Sequence, residues 1–523
     1  MAVQMRLTVG FLEWLCAALM VGSLPCTSPG AANDAAALGA QYHCAGCAQL
    51  TGNSNLSTLQ KALALPSADP VCKMALQRFS RALAEGLNLE TNHSTVSLIE
   101  PLLNDVLQTE SLGVVSGGST NSPGFVLALR LDPKRAQVWQ ANLGQAFGGP
   151  GEKWTADEFI GWRWKIAASD SFWIMSARDW LLVGRGDDLL PVQAGYLREV
   201  RRQGRPSPPL TDRWLEADLD CPRLAGWLPD WLRLLKPARI NLTVAGEKDN
   251  LRITARMLYP EAMPWESRPW QIPAELAQGP IISFTAGQNV AAFLNLSPAF
   301  YRLDGDPLTN QFCAWAWDGL PFLTYMAWPE ADAASTLEKL SSAASAAFSP
   351  ELKQFNGTEL IWQPDRQKLV LSNLRVILPS LGTVHNKDGD YLLLSVFPFS
   401  SPNKPATDEL WKQIKGRTNL VYYDWELTGP RLQQWRMLGR MLLTRSRTPA
   451  PGNLRARMVE EKWSGDLGPW IGKTTTEITR TAPNELSVVR NAPVGFTGIE
   501  LFLLSDWLST LGFPPVQSRP PGP

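Results

Sequence analysis

Histidine is almost missing from this chain: 523 residues hold three, at His43, His93 and His385. Neither His-Glu-x-x-His nor Gly-x-Ser-x-Gly occurs, which excludes the usual zinc-protease and serine-hydrolase arrangements. Charge of one sign is not in excess either, since 49 Lys and Arg balance 49 Asp and Glu. A chain without a basic surplus lacks the electrostatic footprint of a nucleic-acid binder. Cysteine is sparse and, past the first 26 residues, odd in number: Cys44, Cys47, Cys72, Cys221 and Cys313. So thin a spread is no disulfide framework. Beyond Leu24 there is no further run of about 20 predominantly apolar residues, so no membrane-spanning helix is expected in the remainder.

The N-terminus is different. Arg6 precedes a mostly apolar stretch from Leu7 to Leu24, broken only by Glu13, and Pro25, Ser28, Pro29, Gly30, Ala31 and Ala32 follow. That is the layout of a secretory signal, with cleavage expected near Ala32 and export to the periplasm or beyond. Cys26 follows Pro25, a poor fit to lipoprotein processing, so lipid anchoring there is not expected.

With 45% hydrophobic and 19% charged residues, the chain can bury a large core. Its mature length of about 490 residues suggests two or three domains. Residues 33–119 read as an Ala-rich flexible lead-in followed by helices near Ser57–Leu65, Val71–Leu89 and Thr95–Thr109. From about residue 120 the periodicity changes to strands alternating with helices, and segments recur. Pro222-Arg-Leu-Ala-Gly-Trp227 returns as Pro430-Arg-Leu-Gln-Gln-Trp435, and Asp179-Trp-Leu-Leu returns as Asp390-Tyr-Leu-Leu. Asp132-Pro133 is a helix start, and residues around Lys248-Asp249-Asn250 and Pro483-Asn484-Glu485 are hairpin turns.

The predicted fold is α+β: an N-terminal helical segment, then two similar modules of antiparallel or mixed sheet with packed helices. The modules would span 120–262 and 280–510, joined by a linker at 263–279 and ending in a disordered tail at 511–523. In its export signal, its Pro-Arg-Leu-x-x-Trp segments and its Asp-aromatic-Leu-Leu strands, the chain resembles uncharacterised exported bacterial proteins built on a duplicated domain of unknown function. That resemblance implies no activity.

The recurrent segments carry acids. Glu216 and Asp218, and likewise Asp424 and Glu426, share a strand face about 7 Å apart. Paired carboxylates can serve acid–base chemistry such as glycoside hydrolysis, and Arg223 and Arg431 stand close enough in sequence to neutralise them. Tryptophan is abundant, at 22 residues; Trp162 with Trp164, and Trp315 with Trp317, can pair on strand faces as platforms for a ligand or as core. Cys44 and Cys47 suit a local disulfide or spectator thiols, with metal or redox roles as alternatives. The phosphate-loop look-alike Gly468–Thr474 has three residues between its glycines where four are needed. The calcium-loop look-alike at Asn386–Asp390 has Tyr391 where glycine is required. No metal or cofactor is expected.

These features together suggest non-enzymatic binding of an envelope partner or ligand, the alternative being an extracellular carbohydrate-active or hydrolytic protein using the acids and indoles. Intact-mass measurement of protein recovered from its own cell envelope is expected to show a chain beginning near Asn33; retention of Met1 would refute the export signal.

Overall fold

A computed structural model describes residues 38–509, except 54, 117–123, 157, 168–169, 187–188, 227, 229, 264, 266–267, 290–309, 320–322, 354–357, 374–376, 388, 398–407 and 444–450. The export segment at 1–32, with Cys26, and the tail at 511–523 lie outside the described residues.

Ten strands come from the first half of the chain: β1 (Leu38–Cys44), β2 (Ser111–Ser116), β3 (Phe125–Arg130), β4 (Glu152–Ala156), β5 (Phe159–Ala167), β6 (Asp170–Ala177), β7 (Trp180–Arg185), β8 (Leu215–Asp220), β9 (Arg239–Glu247) and β10 (Asn250–Leu258). Ten come from the second: β11 (Ile281–Gln288), β12 (Gln311–Trp317), β13 (Thr324–Pro329), β14 (Leu360–Gln363), β15 (Lys368–Leu371), β16 (Ser380–Asn386), β17 (Gly389–Ser395), β18 (Leu420–Leu427), β19 (Lys473–Ala482) and β20 (Glu485–Ala492). The main helices are α1 (Ala68–Gly86), α2 (His93–Gln108), α3 (Pro133–Ala146), α4 (Leu190–Gln203), α5 (Ala333–Lys353), α6 (Asp408–Lys412), α7 (Thr428–Leu443), α8 (Pro451–Leu467) and α9 (Gly498–Ser509).

Local chemistry explains several of these elements. The Asp132 carboxylate accepts hydrogen bonds from the amides of Lys134 and Arg135 while Pro133 opens α3, so three groups that would be orphaned at a helix start are accounted for. Lys248 and Asp249 both adopt positive φ, the backbone required by the two-residue turn between β9 and β10.

All of the strands join one antiparallel sheet of 20 strands, in the order β4-β5-β6-β7-β3-β2-β1-β8-β9-β10-β20-β19-β18-β11-β12-β13-β17-β16-β15-β14. This overturns the expected helical segment followed by two modules. β10 and β20, the outer arms of two hairpins, pair with each other from Leu251↔Ala492 to Leu258↔Glu485, and an Arg256–Glu485 ion pair crosses the seam. The expected lead-in is also misplaced: Leu38–Cys44 is a mid-sheet strand, paired on one side with β2 and on the other with β8, with Ala40, Tyr42 and His43 buried. Residue 119 is no boundary either, as β2 and β3 on its two sides are paired. Within the expected linker, Ile272, Leu276 and Ala277 are buried in core.

The sheet has helices on both faces. On one face, Tyr42, Leu127, Leu181, Ala217, Leu242 and Ile253 pack with side chains of α2, α3, α7, α8 and α9. The other face divides. Leu112, Val126, Trp173 and Leu182 lie against Leu197 and Val200 of α4, while Phe284, Trp315, Tyr325 and Tyr423 form an aromatic core beside Trp411 of α6. Closeness of packing is clearest where Trp173 lies over Gly184, its cross-strand partner. A Cβ at Gly184 would stand 2.1 Å from Cζ2 of that indole. Gly184→Ala is therefore expected to lower stability by about 1–3 kcal/mol, measured by denaturant unfolding; an unchanged midpoint would mean the indole moves freely.

Candidate functional site

β18 passes directly into α7, and its alternation sends Tyr423 and Trp425 to one face and Asp424 and Glu426 to the other. Unbroken register through β19 and β20 puts Asp424 and Glu426 on the same face as Thr474, Thr476, Arg490 and, across β10, Ile253. On their other side stand Ser283 and Thr285 of β11. Helices α7 and α9 close over this polar strip and bury it: Asp424 is 7% exposed, Glu426 5% and Arg431 8%.

Each group has a definite use in the fold. Thr285 Oγ1 donates to Asp424 Oδ1 at 2.6 Å, and the Gly498 amide, at the start of α9, donates to Glu426 Oε1 at 2.6 Å. The positive end of that helix favours the carboxylate. Glu500 is held doubly. Its side chain accepts from the Thr497 amide at 2.7 Å while its own amide donates to Thr497 Oγ1 at 3.4 Å, a capping box, and Arg490 Nη1 reaches both of its oxygens at 2.9 Å. Arg431 Nη1 donates to Gln434 Oε1 at 2.6 Å, and its guanidinium lies 4.6 Å from the centre of the Trp435 ring. Among the described residues neither Asp424 nor Glu426 has an ion-pair partner within 4.0 Å, and each has one oxygen with no protein hydrogen bond.

These side chains line a cavity of about 90 Å³. Burial raises both carboxyls, Asp424 to about 6 and Glu426 to about 7; the neighbouring Asp424 charge adds to the effect on Glu426, and the Thr285 and Gly498 hydrogen bonds oppose it. Burial lowers Arg431 to about 10, with both acids opposing, so it stays charged at neutral pH. The site can therefore hold or give up a proton near neutrality, and it can receive hydrogen-bond donors.

The other acidic pair is placed differently. Glu216 and Asp218 project from the opposite face of the sheet, in register with His43 and Gln41 of β1, so similar acid-x-acid segments face away from each other. Glu216 pairs with Arg213, and Arg239 Nε donates to Asp218 Oδ1 at 2.6 Å. Arg223 serves Asp220 instead. On this face His43 is buried and lies 2.9 Å from Glu110, which Arg205 also contacts at 2.5 Å.

The four tryptophans singled out in the sequence are packed into the protein. Trp315 and Trp317, 1% and 5% exposed, belong to the aromatic core with Tyr325. Trp164 is buried and donates to the Gly149 carbonyl, while Trp162 is partly buried beside it. Cys44 ends β1 and Cys47 begins a short helix; both are thiols, raised by burial to about 12 and about 11, which suppresses nucleophilic thiolate. Among the described residues no group of three or more His, Cys, Asp and Glu side chains could hold a metal ion.

Sequence reasoning found Asp424, Glu426 and Arg431 but missed Thr285, Arg490, Trp435 and Glu500. Two of these had a local signal: Glu500 in the Thr497-x-x-Glu500 spacing of a capping box, and Trp435 in the recurrent Pro-Arg-Leu-x-x-Trp segment, four residues after Arg431. No protein-family model matches the chain, and no curated protein or solved structure matches it either.

Unfolded carboxyls titrate near 4, below the buried pair, so the folded state holds more protons between about pH 4 and pH 7. The pair's contribution to stability is therefore present below about pH 4 and is lost as pH rises through 6 to 7. Thermal melts across that range are expected to show a smaller loss in Glu426→Gln than in the parent; identical profiles would refute the buried titration.

Proposed function

We propose that this is an exported, non-catalytic binding protein that receives the polar head group of a small ligand in the cavity between β18, α7 and α9. The observation that carries this reading is a pair of carboxylates, both more than nine-tenths buried, each with an oxygen unused by the protein and facing about 90 Å³ of space. Leaving such acceptors dry is costly unless something occupies them. Size argues for a head group. Water takes about 30 Å³ in the liquid, so the space suits a few heavy atoms, whereas pockets that enclose whole drug-sized ligands run to about 300–1,000 Å³.

The same magnitude weighs against glycoside hydrolysis, which needs a sugar ring between its two acids. The burial of Trp164, Trp315 and Trp317 removes the indole platform that such a reading would use. Export rests on the apolar segment preceding Ala32, and it sets the binding event outside the cytoplasm.

Thermal-shift measurements with methylammonium, acetate, phosphate and glycerol in turn test the binding reading. At about ten times its Kd, a probe that fits is expected to add about 1.4 kcal/mol to the parent protein, and much less to Glu426→Gln. If none of the four acts, or if the variant responds equally, the cavity is not a binding site.

A further inference from the structure

We infer that the head group taken by this cavity is a monovalent organic cation of the alkylammonium type, and that its entry expels one proton. This rests on the binding reading above and specifies its chemistry.

Charge comes first. Arg490 and Glu500 close on each other through two 2.9 Å contacts and leave no net charge. What remains is Asp424 and Glu426 from β18 against Arg431 from α7, which is one negative charge when both acids are ionised. Every charged group facing the cavity from the packed elements is then counted: Arg431 on α7, Glu500 on α9, Arg490 on β20 and the two acids; the Tyr422 phenol also lines it. A single positive charge balances the site.

Hydrogen-bond chemistry agrees. The unused atoms of the acids are acceptors, and an ammonium offers three donors and no acceptor. An anion would instead meet two carboxylates, with Arg431 already turned toward Gln434 and stacked on Trp435. The surroundings are apolar beyond the acids: Met326, Leu394, Val396 and Trp435 are half-buried and Ile499 is buried. That apolar collar suits a carbon-bearing cation better than a hydrated inorganic one, and among the described residues no group of three or more His, Cys, Asp and Glu side chains could hold a metal ion.

The proton follows from the same count. With one acid protonated, the site is neutral beside Arg431; the incoming R–NH3+ keeps its own proton, and the carboxylic O–H releases one to solvent. No bond other than that O–H is broken.

Calorimetric titration of the full mature protein with methylammonium chloride, in buffers of different ionisation heat, tests both parts. Affinity is expected to be at least about tenfold tighter at about pH 8 than at about pH 5.5, because each proton exchanged changes log K by about one per pH unit below the titration. Between those limits close to one proton should leave per cation bound. Glu426→Gln and Asp424→Asn, both near-isosteric, should each weaken methylammonium binding at about pH 8 by at least about tenfold while retaining a cooperative melt, because either one removes the net negative charge that the cation balances. Binding of acetate or phosphate without methylammonium would overturn the cation inference and leave the binding reading standing. Potassium chloride binding as tightly as methylammonium would overturn the organic character. Equal methylammonium affinity at both pH values would overturn proton exchange, and silence from all probes would remove both readings together.

Discussion

Eight residue pairs between β10 and β20 hold two ten-strand halves in one sheet, and the rest of the architecture follows from their register. Ile253 opposite Arg490 brings the apolar face of the first half level with the polar strip of the second. Slippage by one residue would turn Ile253 to the far side of the sheet from Arg490, because side-chain direction alternates at every position while Arg490 is held beside Thr476 by its own pairing with β19. The seam is thus a constraint on function as well as on shape: the helices that complete the core of the first half also roof the cavity of the second.

Within that roofed strip the protein tolerates an imbalance that several of its other buried acids avoid. Asp105 lies under Arg135 and the Trp139 indole, Asp170 binds Arg185, and Asp218 binds Arg239; each of these buried or half-buried acids has a cation against it. Asp424 and Glu426 have hydroxyl and amide donors in place of close cations. Charges removed from water without a partner shift their protonation rather than remain ionised, and that is why this pair combines burial with titration near neutrality.

Much of the local structure was legible. The α3 start at Asp132-Pro133 and the β9–β10 turn at Lys248-Asp249 are written in capping and turn residues whose mechanism is local, and α1 and α2 are written in the spacing of their apolar residues. What was not legible is non-local. β1 looks like a small-residue tether because nothing in Leu38–Cys44 announces that strands about 70 and 170 residues away will flank it. The acid pairs expose a deeper limit. A period of two tells which residues of one strand share a side, but it carries no sign, so Glu216-x-Asp218 and Asp424-x-Glu426 read alike and yet face opposite ways. Arg490 and Thr285 entered the site through cross-strand register, which no single-strand pattern contains.

The seam also imposes an order in time. β10 finishes the first ten strands, and its outer edge has no partner until β20 has been made. At synthesis rates of roughly 5–20 residues per second, the interval is on the order of ten seconds or more. Throughout it a nine-residue strand presents a row of unsatisfied amides and carbonyls, the template on which foreign strands add. Arg256 gives the waiting edge a positive charge that discourages such pairing until Glu485 arrives to meet it, Arg252 being already paired with Glu247 of β9.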